Sequence, residues 1–346
     1  MSERSSISAP VLGVIVPCYN EQEVIPETVR RLQILLQQLV ASQAIDAASR
    51  VWFVDDGSRD RTWPLIEQYS VQPGSTVRGL KLSRNRGHQI ALLAGLMNAT
   101  GDVLISVDAD LQDDLGAIPK MLEEHRSGFD IVFGVRGARA TDTAFKRITA
   151  QGYYWLLEKF GVDIVFNHAD YRLMSRRAIE ALRSFEETNV FLRGMIPLLG
   201  FPSTCVEYAR SERFAGESKY PLGKMLALAW QGITSFSAVP LRAITALGVL
   251  VSVASLGLGV WALGVRLLTD DAVPGWASIV IPQFLLSGVQ LLSLGVIGEY
   301  LAKIFIETKR RPHFFIESWA GDDAGSAEAA QVVRRDGRSP PRGHGS

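Results

Sequence analysis

Cysteine is scarce in this chain: Cys18 and Cys205 are the only two thiols among 346 residues. Two distant thiols make neither a disulfide framework nor a zinc-ligand spacing, and they are read as ordinary reduced cysteines. The five histidines (His88, His125, His168, His313, His344) stand singly, with no pair at metal-binding spacing. Neither sign of charge predominates, since 36 basic residues balance 36 acidic ones. That balance argues against a protein that holds nucleic acid by bulk charge. No G-x-G-x-x-G follows a predicted strand and no G-x-x-x-x-G-K-[ST] occurs, which disfavours dinucleotide-dependent dehydrogenases and P-loop NTPases. The opening MSERSSISAP lacks the basic-then-apolar order of a signal peptide, so the first domain is expected in the cytosol.

What is present is unevenly placed. The mean hydropathy of +0.12 averages a polar half and an apolar half. Ala243–Val265 and Trp276–Gly298 carry no charged side chain. At 1.5 Å per residue each makes a helix of roughly 35 Å, enough to cross a hydrocarbon core of roughly 30 Å. Arg242 precedes the first run, and Lys303, Lys309, Arg310 and Arg311 follow the uncharged part of the second. The connecting loop has Arg266 against Asp270 and Asp271. This bias predicts a multi-pass protein of the inner (plasma) membrane with both termini cytoplasmic. Between residues 209 and 242, Arg210, Arg213, Lys219, Lys224 and Arg242 outnumber Glu212 and Glu217, a basic collar suited to anionic head groups. Apolar residues from Leu222 to Phe236 recur at three- and four-residue steps, as in a helix lying in the interface.

The polar half alternates strand and helix patterns. Val11–Val16, Val51–Val54, Val77–Leu82, Val103–Val107 and Asp130–Gly134 read as strands. Val24–Val40, Thr62–Tyr69, Gln89–Ala99 and Leu115–Arg126 read as helices. Such alternation predicts an α/β fold with a mainly parallel sheet and a ligand at the carboxyl ends of its strands. Those ends are polar: Pro17 to Glu21, Asp55 to Ser58, Ser83 to Gly87 and Asp108 to Asp114. Asp108 and Asp110, two apart in an expected extended segment, would converge on one hard cation. A divalent ion there would neutralise a departing diphosphate.

The segments VIVPCYNEQEVIPETV, VDDGSRDRTW, LSRNRGHQIALLAGL and GDVLISVDADLQDD resemble the family 2 glycosyltransferases of the GT-A fold. NHADYRLMSRRAIEAL, VFLRGMIPLLGF, RFAGESKYPLGKM and GEYLAKIFIETKRRPHF narrow the likeness to the polyprenyl-phosphate branch, which holds dolichol-phosphate mannosyltransferases and bactoprenol glucosyltransferases. The likeness covers about residues 10 to 316. It implies a GT-A nucleotide-sugar-binding domain over 11–220, behind a flexible N-terminus of 1–10. An interfacial helix region over 221–242 and transmembrane helices over 243–268 and 276–301 follow, with a cytosolic segment over 302–319; beyond it, a composition rich in Gly, Ala, Ser, Pro and charge predicts a disordered tail over 320–346.

By the same resemblance, Pro17, Tyr19, Glu21 and Asp56 hold the nucleotide, joined by Ala109, Arg136 and Arg147. Asp108, Asp110 and Gln112 hold Mg²⁺ or Mn²⁺ with the diphosphate, and Asp170 takes part in catalysis, either positioning the sugar or acting as base. Arg136, Arg139, Arg213 and Lys219 are the cations expected to manage the approach of two phosphates. The implied reaction is inverting transfer of a hexose from a nucleotide sugar, UDP-glucose first, to undecaprenyl or dolichyl phosphate. A GDP-mannose donor is the alternative, and a homo-oligomer is implied by resemblance alone. A processive polysaccharide synthase is disfavoured by the absence of Q-x-x-R-W, and a silent membrane scaffold by the intact carboxylate motifs.

Overall fold

The computed structural model describes residues 9–136, 168–188, 190–208, 239–268 and 275–321. Strand β1 (Leu12–Cys18) is buried along its whole length, as the uninterrupted apolar run LGVIVPC requires of a strand covered on both faces. It lies between β4 (Val103–Ser106) and β2 (Arg50–Asp55), parallel to both, and β2 is parallel to β3 (Val77–Leu82). Beyond β4 come β6 (His168–Ser175), antiparallel, then β5 (Ile131–Arg136) and β7 (Ser203–Tyr208), which are parallel to each other. On the other flank β8 (Ile316–Ala320) runs antiparallel to β3. The order is β7-β5-β6-β4-β1-β2-β3-β8, the mainly parallel α/β sheet expected of a GT-A domain.

Helices cover both faces. Val14, Val16 and Phe53 join one apolar cluster with Ile25, Val29 and Leu32 of α1 (Ile25–Ala41), Ile66 of α2 (Thr62–Ser70) and Ile118 and Met121 of α4 (Ile118–Arg126). The opposite face takes α3 (His88–Asn98), where Gly95 lies so close to β1 that an added Cβ would stand 2.3 Å from Ile15. Helix α5 (Arg176–Arg183) is tied to the end of α3 by Arg183, which donates to the Met97 carbonyl at 2.7 Å. A short helix α6 (Leu192–Leu198) follows before β7.

Each strand expected between residues 11 and 134 forms within one or two residues of its expected ends. Three differences matter. Strand β4 stops at Ser106, and the helix expected from Leu115 opens with a 3-10 turn, Leu115–Ala117, capped by Asp114. Strands β6, β7 and β8 were not among the expected strands. Ala320, assigned by composition to a disordered tail, is the last residue of β8, where Trp319 meets Trp52 edge-on at 6.3 Å between ring centroids.

The sheet and its helices make one compact unit, to which the chain returns from residue 312. Helices α7 (Val239–Leu268) and α8 (Trp276–Thr308) belong to a second. They occupy the two apolar runs. Among the described residues one stretch, Leu286–Thr308, is long and apolar enough to cross a membrane, and Val239–Val251 is a shorter apolar stretch. The expected interfacial helix before α7 lies outside the described residues, apart from its last few positions.

Candidate active site

Four parallel strands deliver their carboxyl ends to one edge, and an antiparallel neighbour starts there. Because Ser106 of β4 pairs with Arg172 of β6, residues 168–170 run past the end of β4, beside the loop that carries Asp108. This places Asp170, two residues up the strand from Arg172, beside the end of β4 although it comes about sixty residues later.

The first two loops are sewn together. Asn20, at φ 55°, accepts from the Arg59 N–H at 2.9 Å, while its own N–H donates to Ser58 Oγ at 2.9 Å. The Glu21 N–H donates to Thr62 Oγ1 at 2.8 Å. Pro17 lacks an N–H, and its position is tolerated because β4 pairs with β1 only as far as Ile15. Tyr19 projects from this loop, 40% exposed.

Asp55 and Asp56 are buried, and burial raises both carboxyls above the ordinary carboxylate range. Asp55 accepts the Ser58 N–H at 3.2 Å. Asp56 accepts from the N–H groups of Arg86 at 2.7 Å and Gly87 at 2.8 Å, so it holds the β3–α3 loop against the end of β2. Gly57, at φ 70°, sits where a Cβ would lie 2.7 Å from the Arg84 backbone, so both conformation and space demand glycine. The far side of the same loop is held by the returning chain. Ser83 N–H donates to the Phe315 carbonyl at 2.9 Å and Arg86 Nε to that of His313 at 2.7 Å.

Asp108 and Asp110 do not sit in an extended segment. They lie in a turn beyond β4, where the Asp110 carboxylate accepts the Gln112 N–H at 3.2 Å and Leu111 is buried at φ 57°. A branched residue in the left-handed region is strained backbone, held in place by its surroundings. Thr28 of α1 donates to the Ala109 carbonyl at 3.0 Å, and Tyr208 to Asp113 Oδ1 at 2.6 Å. The Asp108 carboxyl is pushed up to about 6, first by burial and then by the charges of Asp113, Asp170 and Asp110, against the opposing pull of His88.

Asp170 has the opposite environment. Its Oδ1 pairs with Arg172 Nη2 and accepts from Arg193 Nε at 3.3 Å. Its Oδ2 accepts from Arg193 Nη2 and Gln89 Nε2, both at 3.1 Å. Burial alone would raise this carboxyl, but Arg172 and Arg193 outweigh it and hold the group far below the usual range. His88 Nε2 stands 3.6 Å from Asp108 Oδ1 and 3.6 Å from Asp170 Oδ2. A carboxylate with so many donors is a fixed charge rather than a proton acceptor.

Thus the structure gathers Asp108, Asp110, Gln112 and Asp170 at the edge that also carries Tyr19, Glu21 and Asp56. Arg136 is the last residue of β5, paired with Tyr208 in the register. Arg139, Arg147, Arg213 and Lys219 lie outside the described residues. The sequence assigns no role to His88, Gln89, Asp113 or Arg193, although all four sit inside the quoted motifs: His88 and Gln89 in LSRNRGHQIALLAGL, Asp113 in GDVLISVDADLQDD and Arg193 in VFLRGMIPLLGF. A polar residue opening an apolar helix was the signal available for Gln89 and His88.

Residues 13–183 match the model of glycosyl transferase family 2. The glycosyltransferase YkoT of Bacillus subtilis, itself described as uncharacterised, is 48% identical over 312 residues, covering 90% of this chain and 92% of its own. The chain belongs to glycosyl transferase family 2. The bactoprenol glucosyl transferase of Shigella phage SfX is 38% identical over 311 residues, 89% of this glycosyltransferase and 99% of the phage protein. The mannosyltransferase PcManGT of Pyrobaculum calidifontis, solved with GDP-Man and Mn²⁺, overlaps 87% of this chain and 86% of its own at 18% identity with a TM-score of 0.41, too slight a likeness to inform the site.

Proposed function

We propose that this glycosyltransferase moves one hexose, glucose from UDP-glucose first, onto a polyprenyl phosphate with inversion at the anomeric carbon, giving a polyprenyl-monophosphate sugar. The observation that carries the reading is the similarity to bactoprenol glucosyl transferase along 99% of that protein, apolar helices included. Transfer breaks the bond from the anomeric carbon to a diphosphate oxygen and forms one to the lipid phosphate. That phosphate, with a second pKa near about 6, is already largely anionic at neutral pH, so no strong base is needed. The saturated carboxylate of Asp170 suits this chemistry as a positioning charge for the donor sugar.

The donor set at Asp108, Asp110 and the Gln112 side chain is hard oxygen, and burial together with the neighbouring carboxylates of Asp113, Asp170 and Asp110 raises the Asp108 carboxyl, a setting that a bound cation would relieve. Among the described residues no three His, Cys, Asp or Glu side chains form a ready metal cage. The fit is therefore to an ion of the Mg²⁺ or Mn²⁺ type that takes one or two carboxylates and completes its shell with diphosphate and water. When bound, such an ion would neutralise charge on the departing diphosphate. Arg136, Arg139, Arg147, Arg213 and Lys219 are the proposed phosphate-facing cations, and Tyr19, Glu21 and Asp56 the nucleotide side of the pocket.

The two apolar helices are proposed to anchor the enzyme in the inner (plasma) membrane, with the sheet unit and both termini in the cytoplasm. Sharing a surface with the acceptor raises their effective concentration. The test is full-length enzyme in vesicles containing undecaprenyl phosphate, given radiolabelled UDP-glucose or GDP-mannose with Mn²⁺. A lipid carrying one glucose is expected. A mannosyl lipid would move the donor assignment, and a polymer or no product would overturn the reading.

A further inference from the structure

We infer that Gln89 is a positioning residue that sets Asp170 and Arg193 in register for transfer; this rests on the reading above that Asp170 positions the donor sugar. Gln89 lies in the first turn of α3 and reaches two other elements. Its Nε2 donates to Asp170 Oδ2 on β6 at 3.1 Å, and its Oε1 accepts the N–H of Leu192, the first residue of α6, at 3.1 Å. The orientation of the amide is dictated by its partners. A carboxylate only accepts and a backbone N–H only donates, so neither end can be exchanged for the other.

Leu192 is the hinge of the arrangement. Its side chain is fully buried, its N–H is held by Gln89, and its carbonyl lies 3.5 Å from Arg172 Nη1. The next residue is Arg193, whose Nη2 meets the same Asp170 oxygen that Gln89 reaches, also at 3.1 Å. One side-chain amide therefore fixes both the carboxylate and the backbone from which its exposed cation springs. The buried partner, Arg172, sits two residues along β6 from Asp170 and meets it directly. Gln89 acts on the reacting groups through Asp170 and Arg193.

The experiment compares wild type, Gln89→Met and Gln89→Glu as full-length enzyme in vesicles, with kcat and both KM values measured from about pH 5.5 to 8. Met keeps the length and loses both bonds. Its kcat is expected to fall on the order of 30-fold with donor KM changed less than about threefold, because misplacement acts on the transition state rather than on binding. Glu keeps the acceptor for Leu192 but, when ionised, sets a second anion against Asp170, with Arg193, Arg172 and His88 the other charged or titratable groups facing it. Protonated, it again offers a donor and an acceptor. Its kcat relative to wild type is therefore expected to rise at least about fivefold as pH falls across that range. Wild-type kcat in the Met variant, a loss confined to KM, or a Glu profile parallel to wild type would each overturn the inference. The Glu profile decides the matter if the Met variant does not fold. Inactive wild type would overturn the functional reading itself, whereas active wild type with unaltered variants overturns only the role of Gln89.

Discussion

Asp108 and Asp170 each stand 3.6 Å from His88 Nε2, yet their surroundings push them in opposite directions. Asp108 comes from a strained turn, and its carboxyl is driven up to about 6, first by burial and then by three other carboxylates. Asp170 comes from a strand whose next inward residue is Arg172, with Arg193 and Gln89 arriving from elsewhere, and is held far down. One position is short of positive charge and the other is fully supplied. The difference fits the two tasks proposed for this edge: recruiting a cation together with a diphosphate, and holding a fixed negative charge that needs no ion from solution.

The largest effect is expected at Asp110. Asp110→Asn is expected to lower transfer more than about 10³-fold, the scale of removing charge stabilisation from a departing group, with the melting temperature unchanged. Near-normal turnover in vesicles would remove the cation site from the first carboxylate cluster. Asp170→Asn is expected to lower transfer about 10² to 10³-fold and also to destabilise the fold by about 3–5 kcal/mol, because it leaves buried Arg172 without its counter-charge. Denaturant melts read the second effect, and an unaltered midpoint would mean that the ion pair is not what holds β6.

pH sharpens the contrast, because the two carboxyls have opposite linkage. Asp108, raised in the folded protein, makes stability decline as pH climbs from the ordinary carboxylate range to about 6, with the full penalty above it. Asp108→Asn should therefore gain stability over wild type through that interval and level off beyond it. Asp170, lowered in the folded protein, contributes stability at all pH values above the ordinary range, lost only as pH falls below it. Melting temperatures from pH 4 to 8 distinguish the two, and parallel curves for both variants would dissolve the comparison. For the same reason Mn²⁺ affinity of wild type should weaken about tenfold per pH unit below about 6, measured by calorimetric titration. The smallest effect is expected far from both carboxylates. Trp319→Ala on β8, where the ring is half-buried, should cost about 1–3 kcal/mol in a melt while changing transfer less than about threefold, since Asp56 still holds Arg86 and Gly87.

Strands β1 to β5 were legible because apolar runs separated by helical patterns report a sheet covered on both faces. Strand β6 was not, because Asp170 and Arg172 interrupt its apolar pattern. Those charges are tolerated inside a sheet only because they pair with each other and with Arg193. Strand β8, IESWA, is five residues long, and its partner β3 lies more than two hundred residues earlier in the chain. The resemblance makes Asp56 a nucleotide ligand, and the structure shows the work it does within the fold: both oxygens hold the β3–α3 loop.

The α/β alternation, the family, the polar strand ends and the pair Asp108 and Asp110 can be read from the chain alone, since all of these are written in local spacing and residue type. The turn that holds Asp108 and Asp110, the arrival of Asp170 beside them by antiparallel pairing, and the closing of Gln89 and Arg193 around it come from the folded arrangement. Strand register and helix docking bring together residues dozens of positions apart. The charge state of a carboxylate depends on which of those neighbours arrives.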